Sequence, residues 1–99
     1  MRKIDLSDYA VEGNTFQVRP SLVSVLFNQP KLDPREILRR DELARSIEEC
    51  ANESILIEEA DYKKIIEGVN ATDMSPFGRA VVPFLQRVLD APKIEVREQ

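Results

Sequence analysis

The chain has no histidine, a single cysteine and only three glycines in 99 residues. Each scarcity removes a class of chemistry. Without histidine and with one cysteine, the usual zinc sites, c-type haem attachment and histidine general bases are excluded. Cys50 has no partner for an intrachain disulfide and no imidazole to activate it, so it reads as a small buried hydrophobe in a reducing compartment. Gly13, Gly68 and Gly78 stand alone, and a phosphate-cradling loop needs several together. No apolar run approaches the roughly 18–20 residues of a membrane span. The longest, Leu22 to Phe27, is broken by Ser24. The start Met1-Arg2-Lys3-Ile4-Asp5 has the basic residues of a signal peptide without its apolar core. Asn52-Glu53-Ser54 and Asn70-Ala71-Thr72 match the glycosylation sequon, which matters only on a secretory route. Basic excess is missing too: 14 basic against 18 acidic residues leave a net charge of −4. That balance argues against general nucleic-acid binding and leaves room for a local basic patch.

What is present suits one small domain over residues 1–99. The apolar fraction is 42% and the charged fraction 32%. The pattern predicts an α+β fold: an N-terminal β-hairpin and a C-terminal strand in a small antiparallel sheet, packed on three to four helices. Ile4 and Leu6 alternate with Lys3 and Asp5, as a strand requires. Tyr9 and Val11 share one parity, and Phe16 and Val18 the other. A turn at Gly13-Asn14 would pair Val11 with Phe16 and Tyr9 with Val18.

Helices are expected at about 20–28, 34–51, 59–69 and 79–91. The first opens on Pro20, although its β-branched residues also suit a strand. The second is the clearest. Asp33 caps it, Pro34 takes its first position, and Glu36 completes a capping-box spacing. At 100° per residue, Ile37, Leu43, Ala44, Ile47, Cys50 and Ala51 share one sector, and Arg40 projects onto it. Ser54 to Ile57 reads as a strand. Glu58, Glu59 and Asp61 crowd the positive end of the next helix, whose face carries Tyr62, Ile65, Ile66 and Val69. Gly68 or Asn70 suits its C-cap. Residues 71–78 form a loop. The last helix begins near residue 80 or kinks at Pro83. Lys93 to Glu98 alternates like a strand.

Five blocks in this order carry a resemblance: Arg2 to Tyr9, Ser21 to Phe27, Arg40 to Ile47, Ile57 to Tyr62, and Arg87 to Pro92. Together they resemble small proteins encoded by tailed bacteriophages and prophages. All are packing or capping motifs, and none carries chemistry. The resemblance implies a phage origin and action in the host bacterial cytoplasm or within a virion. It transfers no functional residue and no cofactor.

No constellation for catalysis stands out, and none is expected. The chain therefore reads as a non-enzymatic, oligomeric interaction module, serving tail or head assembly or binding a host protein. Leu38 is the candidate contact. It lies opposite the apolar sector of its helix and is ringed by Arg35, Glu42, Arg45 and Glu49, an apolar anchor in a polar rim. The alternative is a small-molecule binder that grips a nucleotide or other anion with Arg35, Arg39 and Arg40. The plainer reading of those arginines is a set of i,i+3 and i,i+4 ion pairs, with Arg40 snorkelling, pairing with Glu36 or reaching a partner subunit.

Overall fold

The computed structural model describes residues 1–94. The fold is α+β. Strands β1 (Arg2–Asp5), β2 (Tyr9–Val11) and β3 (Asn14–Phe16) lead into helices α1 (Val18–Leu26) and α2 (Pro34–Glu49). Strand β4 (Ser54–Ile57), helix α3 (Glu59–Ala71), a 3₁₀ segment (Ser75–Val81) and helix α4 (Val82–Leu89) complete it. Pro83 thus falls in the first turn of α4, where its missing N–H removes no helical bond.

The strands form two antiparallel ribbons, β1–β4 and β2–β3. In the first, Lys3 lies opposite Leu56 and Ile4 opposite Ile55. The tail lies along the other side of β1. Lys3 N–H donates to the Pro92 carbonyl, and Ile94 N–H to that of Met1. The expected C-terminal strand therefore reaches β1 at Lys93, and its residues 95–98 lie outside the described part.

The hairpin forms as expected but two residues out of the expected register. Tyr9 pairs with Phe16, and Val11 with Asn14. The turn is Glu12-Gly13, with φ of 50° and 82°. A tight type I′ turn needs positive φ at both central residues, and glycine in the second place lowers that cost. A shift of two keeps side-chain parity, so Tyr9 and Phe16 still share a face. It also releases Val18 to start α1, where the Asp8 carboxylate accepts its N–H at 3.0 Å.

Helices α1 and α2 run antiparallel, as two arginines at opposite ends show. Arg19, near the start of α1, donates to the Ile47, Cys50 and Asn52 carbonyls at the end of α2. Arg40, within α2, donates to the Leu26 carbonyl at the end of α1. The first turns of α2 project beyond α1. That corrects the predicted sector: Ile37 is 43% exposed because nothing in α1 reaches it, and Ala51 is exposed past the helix end. The buried stripe of α2 is Arg40, Leu43, Ala44 and Ile47. The Asp33 carboxylate accepts the Glu36 N–H as expected. The Glu36 side chain turns instead to Arg40.

Gly68 does not end α3, which continues to Ala71. It marks where α3 meets α1. A Cβ there would lie 2.1 Å from the Val25 carbonyl oxygen and 2.7 Å from its carbon. Both are backbone atoms and cannot swing aside. In a free helix alanine is favoured over glycine by about 1 kcal/mol. Here the overlap reverses the sign. Gly68→Ala is expected to destabilise the protein by about 3 kcal/mol in urea unfolding, by forcing α1 and α3 apart. An unchanged midpoint would show that the two helices do not approach this closely.

Candidate functional site

Arg40 is 1% exposed and the only charged residue in the buried core among the described residues. Its guanidinium donates to Glu36 at 3.1 Å, the Leu26 carbonyl at 2.8 Å, Gln29 at 2.7 Å and Glu67 at 3.0 Å. One side chain thus joins α1, α2, α3 and the loop after α1. Among the readings open from the sequence, the pairing with Glu36 is present. Its donors are engaged within the chain, so they are not turned toward an external anion. Arg39 is exposed and stands 3.9 Å from Glu36. Arg35 is exposed with no ion pair among the described residues. The three arginines do not converge on a common pocket.

Leu38 is 65% exposed, the most exposed large apolar side chain described. It stands on the projecting start of α2 with Ile37. Arg35, Glu42 and Arg45 are all exposed on the same helix, and Arg45 pairs with Asp41 at 3.0 Å. These exposed polar side chains share the surface of α2 with Leu38, and Ile37 extends its apolar area.

A second feature escaped the sequence reading. A groove of about 390 Å³ opens between the hairpin, α1 and the 3₁₀ segment. Its apolar walls are Phe16, Val25, Met74, Phe77, Val81 and Phe84, and its rim is Ser21, Ser24, Asn28 and Thr72. No residue lining it carries a charge, in a chain where 32% of residues do. Three of the four phenylalanines meet here. Phe16 lies 5.4 Å from Phe84 and 6.3 Å from Phe77, centroid to centroid. The one available sequence signal was the proximity of Met74, Phe77 and Gly78 in a segment read as loop. Gly78 takes φ 55° and ψ −136°, a conformation disfavoured for other residues, and it turns the chain so that Phe77 stays half-exposed.

The groove's floor is tied down by Tyr9. Its ring stacks on Phe16 at 5.0 Å, its hydroxyl donates to the Ala80 carbonyl, and it accepts the Phe84 N–H at 3.2 Å. Arg87 lies over the ring at 5.0 Å and donates to the Ser7 carbonyl at 2.6 Å. Tyr62 is held similarly. It donates to the Val88 and Leu89 carbonyls, under Arg2 at 4.9 Å. Burial pushes both phenols above their ordinary value, and the nearby guanidiniums only partly offset it. Asp5 is shifted the other way, chiefly by the Ser7 hydroxyl, and Asp73 by the Ser75 N–H.

Among the described residues, no three histidine, cysteine, aspartate or glutamate side chains are grouped as a metal site requires. None of the described helices is long and apolar enough to cross a membrane.

Two measurements follow from these contacts. Arg40→Met keeps the stem and removes the fork, leaving Glu36, Glu67 and the Leu26 carbonyl without their donor. It is expected to cost about 3 kcal/mol, whereas Arg45→Met, on an exposed pair, should cost under about 0.5 kcal/mol. Equal effects in urea unfolding would remove Arg40 from its central role. For the tyrosines, the folded state holds the phenol proton more tightly than the unfolded chain. Their contribution is complete below about pH 10 and is lost as pH rises through the folded values. Ultraviolet titration should show both phenols ionising above about pH 10, with melting temperature falling over that range. An ordinary titration in the intact fold would mean the rings are not buried.

No protein family, curated protein or solved structure matches this chain.

Proposed function

We propose that the chain is a non-enzymatic protein-interaction module whose apolar groove receives an uncharged side-chain cluster of a partner protein. The observation that carries this reading is the groove's lining. In so highly charged a chain, an uncharged concave surface rimmed by hydroxyls and amides suits an apolar anchor. Met74 and half-exposed Phe77 are adaptable parts of its wall. Leu38 with Ile37 supplies a separate apolar contact on α2, suited to self-association. The resemblance to small phage and prophage proteins supports a partner in the host bacterium or the virion, either a host protein or a component of tail or head assembly.

Binding of a nucleotide or other small anion is the weaker reading. Arg40 is engaged inside the fold, which leaves Arg35 and Arg39 on an exposed helix face without a pocket between them.

The test places a photoreactive phenylalanine analogue at position 77 and, separately, at position 38, in bacteria carrying the chain. Position 77 should give a discrete protein adduct. Ser24→Arg should abolish it by putting a charge on the groove rim, with melting temperature unchanged, since Ser24 is exposed on α1. Leu38→Glu should lower the mass in light scattering without loss of helix content. A strict monomer that gives no adduct from either position would refute the module.

A further inference from the structure

The β1–β4 ribbon has one closed edge and one open edge. Lys3 N–H donates to the Pro92 carbonyl at 3.1 Å, and Leu6 N–H to the Glu53 carbonyl at 2.6 Å. Even-numbered residues of β1 therefore face β4, and odd-numbered ones face the tail. Leu56 lies opposite Lys3, so its own N–H and C=O point away from β1. Among the described residues, neither group has a hydrogen-bond partner. Ser54 shares this outward orientation, and its carbonyl has only the weak Cys50 thiol at 3.6 Å. The chain's own tail covers the edge of β1 at Met1 and Lys3, whereas the edge of β4 lies open among the described residues.

Nothing along Ser54 to Ile57 protects that edge. It has no charge, no proline and no bulge, the usual devices against strand addition. Leu56 is 46% exposed beside it. Its surroundings are strongly acidic. Residues 48–61 contain six carboxylates and no basic side chain. Glu59 pairs with Arg2, but Glu48, Glu49, Glu53, Glu58 and Asp61 have no ion pair among the described residues. Arg19, which donates to the Asn52 carbonyl at 2.7 Å, is the cation beside Glu53, and Lys3 lies opposite Leu56 one strand inward.

We propose that the β4 edge accepts an extended segment of a partner protein that has alternating β-branched residues at its centre and lysine or arginine at both ends. The main chain of Ser54 and Leu56 supplies the hydrogen bonds, and Glu53 and Glu58 meet the flanking cations. The same charges disfavour a second copy. Two-fold pairing of β4 with itself, centred on Ile55, sets Glu53 of each copy opposite Ile57 of the other, one position from Glu58, and so gathers two carboxylates at each end of the pair. This surface is separate from the apolar groove and does not rest on it.

The probe is a synthetic nine-residue peptide of alternating valine and threonine with two lysines at each end. Its control carries glutamates there. The lysine peptide should slow hydrogen exchange at the Leu56 amide at least tenfold, and its binding should weaken several-fold between low and physiological salt. The glutamate peptide should do neither. Leu56→Pro removes the outward N–H without touching the ladder to β1; it leaves no amide at 56 to follow, so the readout is the peptide itself, whose binding should weaken about tenfold. Should that variant fail to fold, Glu53→Lys with Glu58→Lys carries the test, because it changes only exposed side chains. The double variant should lose the lysine peptide and gain the glutamate one. Equal binding of both peptides, binding without protection at Leu56, or no binding at millimolar peptide overturns the proposal. So does concentration-dependent protection of Leu56 with no peptide present, which would assign the edge to a second copy. Ser24→Arg, which closes the groove, should leave all these readouts unchanged.

Discussion

The buried guanidinium of Arg40 sets the relation between the three longest helices. Burying a cation is costly unless its hydrogen-bonding capacity is met. Here two carboxylates, an amide oxygen and a helix-terminal carbonyl meet it. A lysine could not do the same, since its ammonium is compact and lacks a planar fork to reach four acceptors on separate elements. These acceptors come from α1, α2, α3 and the loop after α1, so their placement is coupled. One consequence is the offset of α1 against α2. Arg40 meets the last turn of α1 nearly two turns into α2, so the residues before it overshoot. Ile37 is exposed because of where Arg40 must sit.

The same device recurs at smaller scale. Arg19 closes the C-terminal end of α2, Arg2 reaches the Ala91 carbonyl, and Arg87 reaches that of Ser7. Free carbonyls at helix ends carry partial negative charge, and a guanidinium satisfies two of them at once. In a chain this short the apolar core is small, and directional bonds across chain ends help specify one arrangement. This use of arginine also shapes the surface. Four of the chain's cations are turned inward or onto the backbone, while most carboxylates remain outside. Two of the four, Arg19 at Asn52 and Arg2 at Glu59, lie beside β4, where Glu53 and Glu58 have no ion pair among the described residues.

What was legible in the sequence was local. The Asp33 cap, the acidic first turn of α3, the SILI strand and the exposed Leu38 each depend on neighbouring residues, and each is found. The α+β class followed from them. The hairpin was legible, but its register was not, because shifts of two preserve side-chain parity and only the turn's dihedrals separate them. Gly68 looked like a cap because a glycine near a helix end usually is one. Its role depends on Val25, forty-three positions away. Ile37 shares an angular sector with Leu43 and Ile47, yet sector alone does not say how far the facing helix extends. The groove was the least legible feature. Its walls come from the hairpin, α1, the 3₁₀ segment and α4, and no window of sequence contains them together. Arg40 was visible as an anomaly on an apolar face, but three explanations fitted it until Leu26, Gln29 and Glu67 were placed around it.

The two exposed surfaces differ in the forces they offer. The groove gains from removing apolar area from water, and ionic strength changes that little. The β4 edge combines short-range main-chain bonds with a carboxylate field that falls off over about 10 Å at 0.1 M salt. A partner reaching the edge is drawn by charge first and held by hydrogen bonds afterwards, so salt acts mainly on its arrival. A partner reaching the groove feels no such attraction, and its affinity rests on how well its anchor fits around Phe77 and Met74. The surfaces also lie on different supports. Tyr9 and the 3₁₀ turn hold the groove, while β1 and the tail hold the edge. One ligand can therefore occupy either surface without rebuilding the other, and a partner carrying both a basic strand and an apolar anchor gains from the two contacts together only if its own geometry spans them.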